Sequence, residues 1–165
     1  MIRIATEQDA QAITSIYNYY IENTVVTFET EVISVDTILA RMKTVNVANL
    51  PWLVAVNNQG QVVGYAYASP FRERYAYRFS VEITVYIDKT SAKQGFGTAL
   101  YMALISELKA LKMHVIIGVI TLPNEQSVAL HEKMGMTKVA HFYEIGYKFE
   151  QWLDVGYWQA RLCDV

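Results

Sequence analysis

A run rich in β-branched residues, a loop with two glycines and a helical stretch follow one another in the middle of the chain. They cover residues 81–87, 93–98 and 96–111. This order predicts a strand, a tight turn and a helix, so that backbone N–H groups and the positive end of the helix dipole point into one concavity. A pyrophosphate fits such a concavity, and Lys93 adds a positive charge. The pattern also fits an ordinary tight turn, since it has too few glycines for a dinucleotide fingerprint and its lysine precedes the glycines, unlike a Walker loop.

Strands and helices also alternate on both sides of this unit. The periodicity predicts strands at residues 2–5, 52–56, 61–69 and 114–121, two more within residues 138–162, and helices that begin at Thr6 or Asp9, at Ser34 or Asp36, and at Asn124. Residues 23–31 break the helical pattern and predict a loop able to cover a pocket. A length of 165 residues without a linker-like stretch predicts one domain, residues 1–165.

Composition argues against several classes of function. With 53% hydrophobic and 18% charged residues, the chain has a core to bury. A net charge of -2 with scattered Lys and Arg argues against a nucleic-acid partner. The first residues lack a basic leader and no apolar run reaches the roughly 18 residues of a membrane span, so we expect a soluble, cytoplasmic protein without a membrane partner. We interpret the lone Cys163 as a small apolar residue of the last strand rather than a nucleophile.

The second half of the chain contains a further strand, then Leu-Pro-Asn at residues 122–124, then a helix. The two units together resemble the acetyl-coenzyme A site of the GNAT superfamily of N-acetyltransferases. More narrowly, the chain resembles phosphinothricin N-acetyltransferases and the related methionine sulfoximine and methionine sulfone acetyltransferases. The motifs that carry this resemblance lie at residues 19–22, 27–30, 51–55, 81–86, 122–124 and 152–159. They span nearly the whole chain and are more specific than the glycine loop alone.

The resemblance implies the GNAT fold, an α/β (α+β) architecture. We expect a mixed, mostly antiparallel central sheet of six to seven strands, flanked by about four helices and splayed at the cofactor site. The strand at residues 85–87 parts from its parallel neighbour around residues 116–120, and the freed N–H and C=O groups bind the pantetheine arm like a missing strand. An N–H near Val85 then faces the thioester oxygen in the transition state.

Acetyl-coenzyme A is the implied acetyl donor, bound by the splayed strand, the glycine loop and the helices that follow. The implied residues are Val85, Tyr86, Ile87, Lys93, Gln94, Gly95, Phe96, Gly97, Thr98, Asn124 and Lys133. The chain departs from the superfamily pattern at the first loop position, where Ala92 replaces Gln or Arg. One side-chain contact is lost there, while the backbone amides remain. We expect no metal at this site.

The acceptor amine attacks only in its neutral form, so the reaction needs a base. Glu82 is the candidate, because strand periodicity places its side chain on one face with Thr84 and Tyr86. It would act directly or through a water molecule. From the residues alone, a solvated strand carboxylate fits as well, and the resemblance favours the base.

A proton donor helps the coenzyme A thiolate to leave. Many GNAT enzymes have a tyrosine on the helix after the Asn position, where this chain has His131. An imidazolium can supply a proton near pH 7. A histidine that merely lies on the helix surface fits the sequence equally well. His114 and His141 have no such context, and we assign both to structure.

Residues 71–78 place guanidinium groups among aromatic rings just before the Glu82 strand. This pattern suits bidentate binding of a substrate carboxylate, and it also fits an exposed charged turn. The resemblance favours the site and implies acceptor contacts from Arg72, Glu73, Arg74, Glu82, Ile83 and Thr84, with Phe28 and Glu29 closing over the acceptor. Trp152 and Trp158 are interpreted as core and dimer surface, since related enzymes are homodimers with acceptor pockets near the interface.

The leading hypothesis is therefore an acetyl-coenzyme A-dependent N-acetyltransferase. It acetylates the primary amine of a small amino-acid-like substrate, such as phosphinothricin, methionine sulfoximine or methionine sulfone, by direct transfer in a ternary complex. An alternative keeps the donor site but uses a protein N-terminus or a polyamine as acceptor. A further alternative is a non-catalytic module that binds coenzyme A.

Overall fold

Seven strands form one sheet in the computed structural model, which describes residues 1–162. The strands are β1 (Ile2–Ile4), β2 (Trp52–Val56), β3 (Val62–Pro70), β4 (Ser80–Ile87), β5 (Val115–Leu122), β6 (Thr137–Lys148) and β7 (Gln151–Arg161). Their order in the sheet is β1-β2-β3-β4-β5-β7-β6. Among the strands of residues 1–162, only β4 and β5 are parallel neighbours. The predicted mixed, mostly antiparallel sheet is confirmed.

In the described part of the chain, four α-helices flank the sheet, as predicted. They are α1 (Ala10–Asn23), α2 (Val35–Val47), α3 (Phe96–Ala110) and α4 (Glu125–Lys133). Within residues 1–162, none of them is long and apolar enough to cross a membrane. Cys163 lies outside the described residues, so its placement in the last strand stays a prediction.

The start of α1 follows from the local sequence. A short 3-10 turn, Glu7–Asp9, precedes the helix, and the Asp9 carboxylate accepts the Thr6 backbone N–H at 2.8 Å. Two Arg3 nitrogens donate to the same carboxylate, each at 2.7 Å. With its entry fixed in this way, α1 buries Ile13, Ile16 and Tyr17, three of the four residues in the apolar stripe that its periodicity predicts, and Tyr20 is half-buried.

The hydrophobic core lies between the sheet and the helices. All five residues of β2 are buried, and α3 contributes Leu100, Leu104 and Leu108 at helical spacing. Burial of one such leucine stabilises the fold by roughly 1.5–3 kcal/mol. The core therefore holds α3 firmly against β2, β3 and β4, beside the candidate site.

The connection between β4 and β5 is what positions the site. Parallel strands need a long crossover, which α3 supplies here. The crossover brings the end of β4, the loop before α3, and the end of β5 to the same edge of the fold. Strands β6 and β7 continue the sheet beyond β5 as a long hairpin, with β6 at the edge.

Candidate active site

Strands β4 and β5 part shortly after they meet. They pair only at Ser80, Val81 and Glu82, whose partners are residues 115–117. Beyond this point β4 continues beside β3 as far as Ile87, and β5 continues beside β7 as far as Leu122. The predicted splay between the two parallel strands is present, and it opens the sheet between residues 83–87 and 118–122.

The free edge of β4 carries backbone groups that point into this opening. The Ser80 carbonyl accepts from Phe71, and the Asp88 N–H donates to Val63, so even-numbered residues of β4 face β3. Along an antiparallel strand, the N–H and C=O groups of successive residues point alternately to one neighbouring strand and to the other side. The N–H and C=O groups of Ile83, Val85 and Ile87 therefore face the gap. Tyr20 donates to the Ile87 carbonyl at 2.6 Å.

The loop before α3 forms one end of the opening. Lys93 has a φ of 61° and Gly95 a φ of 86°, so the chain turns twice through the left-handed region just before the helix begins. Such turns expose successive N–H groups as an anion-binding concavity at the helix N-terminus. A Cβ at Gly95 would meet no neighbour within 4 Å, so the glycine serves the backbone conformation there.

A groove of about 370 Å³ runs from this loop between β4 and α4. Ten of the eleven residues predicted to bind the donor line it: Val85, Tyr86, Ile87, Lys93, Gly95, Phe96, Gly97, Thr98, Asn124 and Lys133. The exception is Gln94, which is exposed and whose side chain donates to the Thr90 carbonyl at 3.4 Å. Its side chain points back to the preceding turn instead of lining the groove. The Asn124 side-chain oxygen caps α4 by accepting the Ser127 N–H at 3.1 Å.

A second cavity, of about 410 Å³, adjoins the groove and contains Glu82. The two share Val85, Tyr86, Asn124 and Ser127 among their lining residues. Burial raises the pKa of the Glu82 carboxyl above its usual value, and the positive charge of Arg72 opposes that shift. Glu82 is thus a half-buried carboxyl facing a cavity, not a solvated strand residue.

His131 lies in the wall of the same cavity. It is only 3% exposed, so the alternative of a histidine on the helix surface is wrong. Its Nδ1 lies 2.7 Å from the Ser127 carbonyl, which only accepts, so Nδ1 carries a proton. Its Nε2 lies 3.0 Å from the Tyr101 hydroxyl. Burial lowers the pKa of His131, which favours the neutral ring and weakens the case for an imidazolium.

The space for this imidazole comes from Gly118 on β5. A Cβ added there would lie 2.3 Å from His131 Cδ2 and 2.5 Å from Nε2. Tyr101, on α3, is 1% exposed and also lines the cavity. Burial is the main cause that raises the pKa of the Tyr101 hydroxyl, and the nearby negative charge of Glu82 raises it further. The neutral imidazole therefore accepts the proton of a neutral phenol.

The predicted acceptor residues divide between three places. Phe28, Glu82, Ile83 and Thr84 line the 410 Å³ cavity. Arg72, Glu73 and Arg74 instead line a separate open depression of about 560 Å³, with Phe71 and Tyr77. The prediction that all three contact the acceptor beside Glu82 is not supported by this arrangement, because the turn after β3 carries them out of the cavity wall. Of these three residues, only Arg72 affects Glu82, because its positive charge lowers the pKa of the Glu82 carboxyl.

Glu29 lies in neither cavity lining. Its Oε1 accepts from Arg41 at 2.6 Å and from the Tyr17 hydroxyl at 3.1 Å, so it pairs with α1 and α2. A predicted acceptor contact is in fact an anchor of the loop between these helices. The aromatic ring of Phe28, one residue earlier, does line the cavity.

Sequence reasoning missed Tyr101, Val26 and Tyr157, which all line the Glu82 cavity. Tyr101 sits on the buried stripe of α3 and looks like any core aromatic, since its partner His131 is 30 residues away. In the tail, His141 and Trp158 occupy structural positions, while a place for Trp152 at a dimer surface stays a prediction. His141 bonds Asp154 at 2.7 Å as a structural pair, and Trp158 is buried while Trp152 is 62% exposed. Among the described residues, no cluster of His, Cys, Asp and Glu is arranged to hold a metal.

Comparison with known proteins agrees with this geometry. The chain matches the acetyltransferase (GNAT) domain family over residues 2–156. It is 39% identical to a phosphinothricin N-acetyltransferase of Streptomyces viridochromogenes over 96% of this chain and 85% of the relative. It is 33% identical to an L-methionine sulfoximine/L-methionine sulfone acetyltransferase of Salmonella typhimurium over 98% of this chain and 94% of the relative.

A solved structure is similar throughout. The GNAT superfamily phosphinothricin acetyltransferase from Sinorhizobium meliloti, crystallised in complex with acetyl-coenzyme A, superposes with a TM-score of 0.95 at 35% identity, covering 98% of this chain and 87% of that one. With strands parted beside a glycine-containing loop, and with matches over nearly its whole length, the chain belongs to the GNAT family of acetyltransferases.

Proposed function

We propose that this protein transfers the acetyl group of acetyl-coenzyme A to the primary amine of a small amino-acid-like substrate, in a ternary complex. Phosphinothricin, methionine sulfoximine and methionine sulfone are the acceptors to test, because relatives at 39% and 33% identity act on them. The observation that carries the proposal is the junction of the two cavities. The groove with the loop amides opens, at Val85 and Tyr86, into the cavity with Glu82.

The donor fits the groove through this chain's own groups. Residues 93–98 present main-chain N–H groups to a pyrophosphate, and Lys93 and Lys133 add positive charge. The free edge of β4 offers N–H and C=O groups to an extended amide-bearing arm, as a neighbouring strand would. The Val85 N–H faces the gap and stabilises a developing thioester oxyanion, a contact worth about 3 kcal/mol.

Glu82 is proposed as the base. The acceptor nitrogen loses a proton to the carboxylate, directly or through water, and attacks the acetyl carbon. The C–N bond forms, the C–S bond breaks, and the electron pair leaves on sulfur as a thiolate. The nitrogen releases its second acidic proton as it becomes an amide, and the thiolate takes up one proton. Burial raises the Glu82 pKa toward the range in which a carboxylate accepts a proton more readily.

Tyr101 is proposed as the group that protonates the thiolate, and His131, the donor expected from the sequence, as the residue that orients it. Both line the cavity, and they are hydrogen-bonded to each other at 3.0 Å. Because the Nδ1 proton is held by Ser127, the imidazole orients the phenol, and the pair acts as one unit. The Tyr101 hydroxyl is the group through which a proton reaches the cavity.

An anionic acceptor fits this site better than a polyamine. Arg72 places a positive charge near Glu82, which attracts the carboxylate of an amino acid and repels a second ammonium group. This charge acts at a distance, because Arg72 lines the neighbouring depression and not the cavity itself. An assay of a panel of amines, in which the release of the free coenzyme A thiol is measured, distinguishes these classes of acceptor. Activity on polyamines or on peptide N-termini, but on none of the three small acceptors, would contradict the proposal.

Glu82→Gln is the direct test of mechanism. Turnover is expected to fall by roughly 100- to 10,000-fold, because the amide cannot accept the amine proton. The calorimetric affinity for acetyl-coenzyme A stays within about twofold, since the donor groove does not depend on this side chain. A wild-type protein that binds acetyl-coenzyme A tightly but acetylates no amine would favour the non-catalytic module instead.

We also propose that the protein is a homodimer formed through the β6–β7 edge. This edge exposes large apolar side chains that a sheet edge in water rarely shows: Phe142, Tyr143, Ile145, Tyr147, Phe149 and Trp152. Strand β6 is the terminal strand of the sheet. Ile145 and Tyr157, from the same hairpin, line the Glu82 cavity, so a second copy at this edge would lie beside the acceptor.

A further inference from the structure

Lys148, on β6, is a buried lysine next to the candidate acceptor site. It is 3% exposed, and its ammonium donates to the Thr27 carbonyl at 2.8 Å. The ring of Phe149 lies 5.0 Å from the ammonium, as a cation–π contact. A buried ammonium is costly unless it is held by such partners. The lysine therefore ties β6 to the loop between α1 and α2.

Phe28, the next residue of that loop, rests directly on Gly146. A Cβ at residue 146 would lie 2.2 Å from two atoms of the Phe28 ring. Only glycine leaves room for the ring in this position. Gly146 and Lys148 are two residues apart on β6, so they lie on the same face of the strand. Phe28 and Thr27 contact that face.

The opposite side of the loop is fixed as well. The Tyr17 hydroxyl lies 2.8 Å from Thr27 Oγ1, and Glu29 is held by Arg41. Thr27 is thus bound from α1 through its side chain and from β6 through its carbonyl. Phe28 lies between these anchors and lines the 410 Å³ cavity. The loop is a fixed wall, and the position of the ring depends on β6.

We propose that Gly146 and Lys148 determine acceptor specificity by positioning Phe28 as the outer wall of the acceptor cavity. This inference rests on the proposed function of the same cavity. Neither residue lines the cavity itself, so both act through the loop. Their substitution changes which amino-acid side chains the cavity admits, while the groove for the donor, on the far side of Tyr86, is unaffected.

The test is a comparison of Gly146→Ala, Lys148→Met and Phe28→Ala, with kcat and KM measured for each substrate. Gly146→Ala and Lys148→Met are each expected to raise the acceptor KM by roughly tenfold, the loss of one net contact. The KM for acetyl-coenzyme A stays within about twofold. The ratio of kcat/KM between a compact acceptor, methionine sulfone, and a bulkier one, phenylalanine, also changes. Lys109→Met, on the exposed side of α3, is the matched control and leaves all constants unchanged.

A double variant shows whether the effect passes through the ring. Once Phe28→Ala has removed the ring, Gly146→Ala has nothing left to displace, so its further effect on the acceptor KM should vanish. This cycle tests the inference even where Lys148→Met fails to fold. An unchanged acceptor KM and selectivity in folded Gly146→Ala would overturn the inference while leaving the proposed function intact. A wild-type protein inactive on every small amine would overturn the proposed function itself.

Discussion

At the scale of single residues, the site depends on the pKa of one half-buried carboxyl, that of Glu82. Burial raises the pKa of Glu82, while Arg72 lowers it. A base works only in its ionised form, so these opposing effects set the lowest pH at which the enzyme can run. Arg72 therefore acts on the reaction through its charge, even though it lines a different depression.

Arg72→Gln is expected to move the acid limb of the kcat profile to higher pH. Without the guanidinium, nothing opposes burial, so the Glu82 pKa rises and a higher pH is needed to ionise it. Turnover at saturating acceptor, measured across the acid range, gives the limb. Arg74→Gln removes an identical charge from the same turn and should leave it in place. An unmoved limb in Arg72→Gln would remove Arg72 from the electrostatics of the base.

The protonation of His131 is tested by the same profile. Burial lowers its pKa, so the ring is neutral at and above the ordinary histidine value of about 6.5. If the neutral ring orients Tyr101, turnover does not fall as pH rises through this value. Tyr101→Phe, which removes the hydroxyl, should then reduce kcat without weakening acetyl-coenzyme A binding. If the kcat of the wild-type protein instead falls as the pH is raised toward 7, the imidazolium is the acid after all.

At the scale of elements, β5 must leave space for a side chain of α4. The His131 ring occupies the position of a Cβ at Gly118. Gly118→Ala is expected to cost roughly 1–3 kcal/mol of unfolding free energy, because the ring must shift in a closely packed site. Thermal unfolding measures the loss. In a His131→Ala background the same substitution should cost much less, and an equal cost in both backgrounds would show that the contact is not its cause.

How far each element could be predicted depended on how local its determinants are. Periodicity and capping residues gave α1, β2 and α3 to within a few residues, because neighbours in sequence decide them. The parting of β4 from β5 was implied only by resemblance, since the Val-Glu-Ile-Thr-Val run reads as an ordinary strand. What the residues could not show was the bond between Tyr101 and His131, or the burial of Lys148 under Thr27. Those contacts join distant elements and leave no local pattern.

At the scale of the whole molecule, the unexplained feature is the apolar edge of the sheet. Charged residues or prolines usually protect such an edge, whereas β6 presents aromatic and aliphatic side chains. The exposed Trp152, on β7, lies against Tyr147 with ring centroids 4.8 Å apart. A stable interface buries about 800 Å² on each partner, so several such side chains must be covered together.

Trp152→Glu combined with Tyr147→Glu is expected to turn the proposed dimer into a monomer. Two carboxylates on the face would have to lose their hydration at the interface, which costs several kcal/mol for each buried ion. Sedimentation velocity at micromolar concentration measures the change. Met102→Glu, also an exposed apolar position but on α3, keeps the dimer.

Because Ile145 and Tyr157 of the same hairpin line the Glu82 cavity, dissociation should also raise the KM for the acceptor and leave the KM for acetyl-coenzyme A unchanged. A wild-type protein that sediments as a monomer would refute the dimer, and a monomeric variant with unchanged kinetics would separate assembly from catalysis.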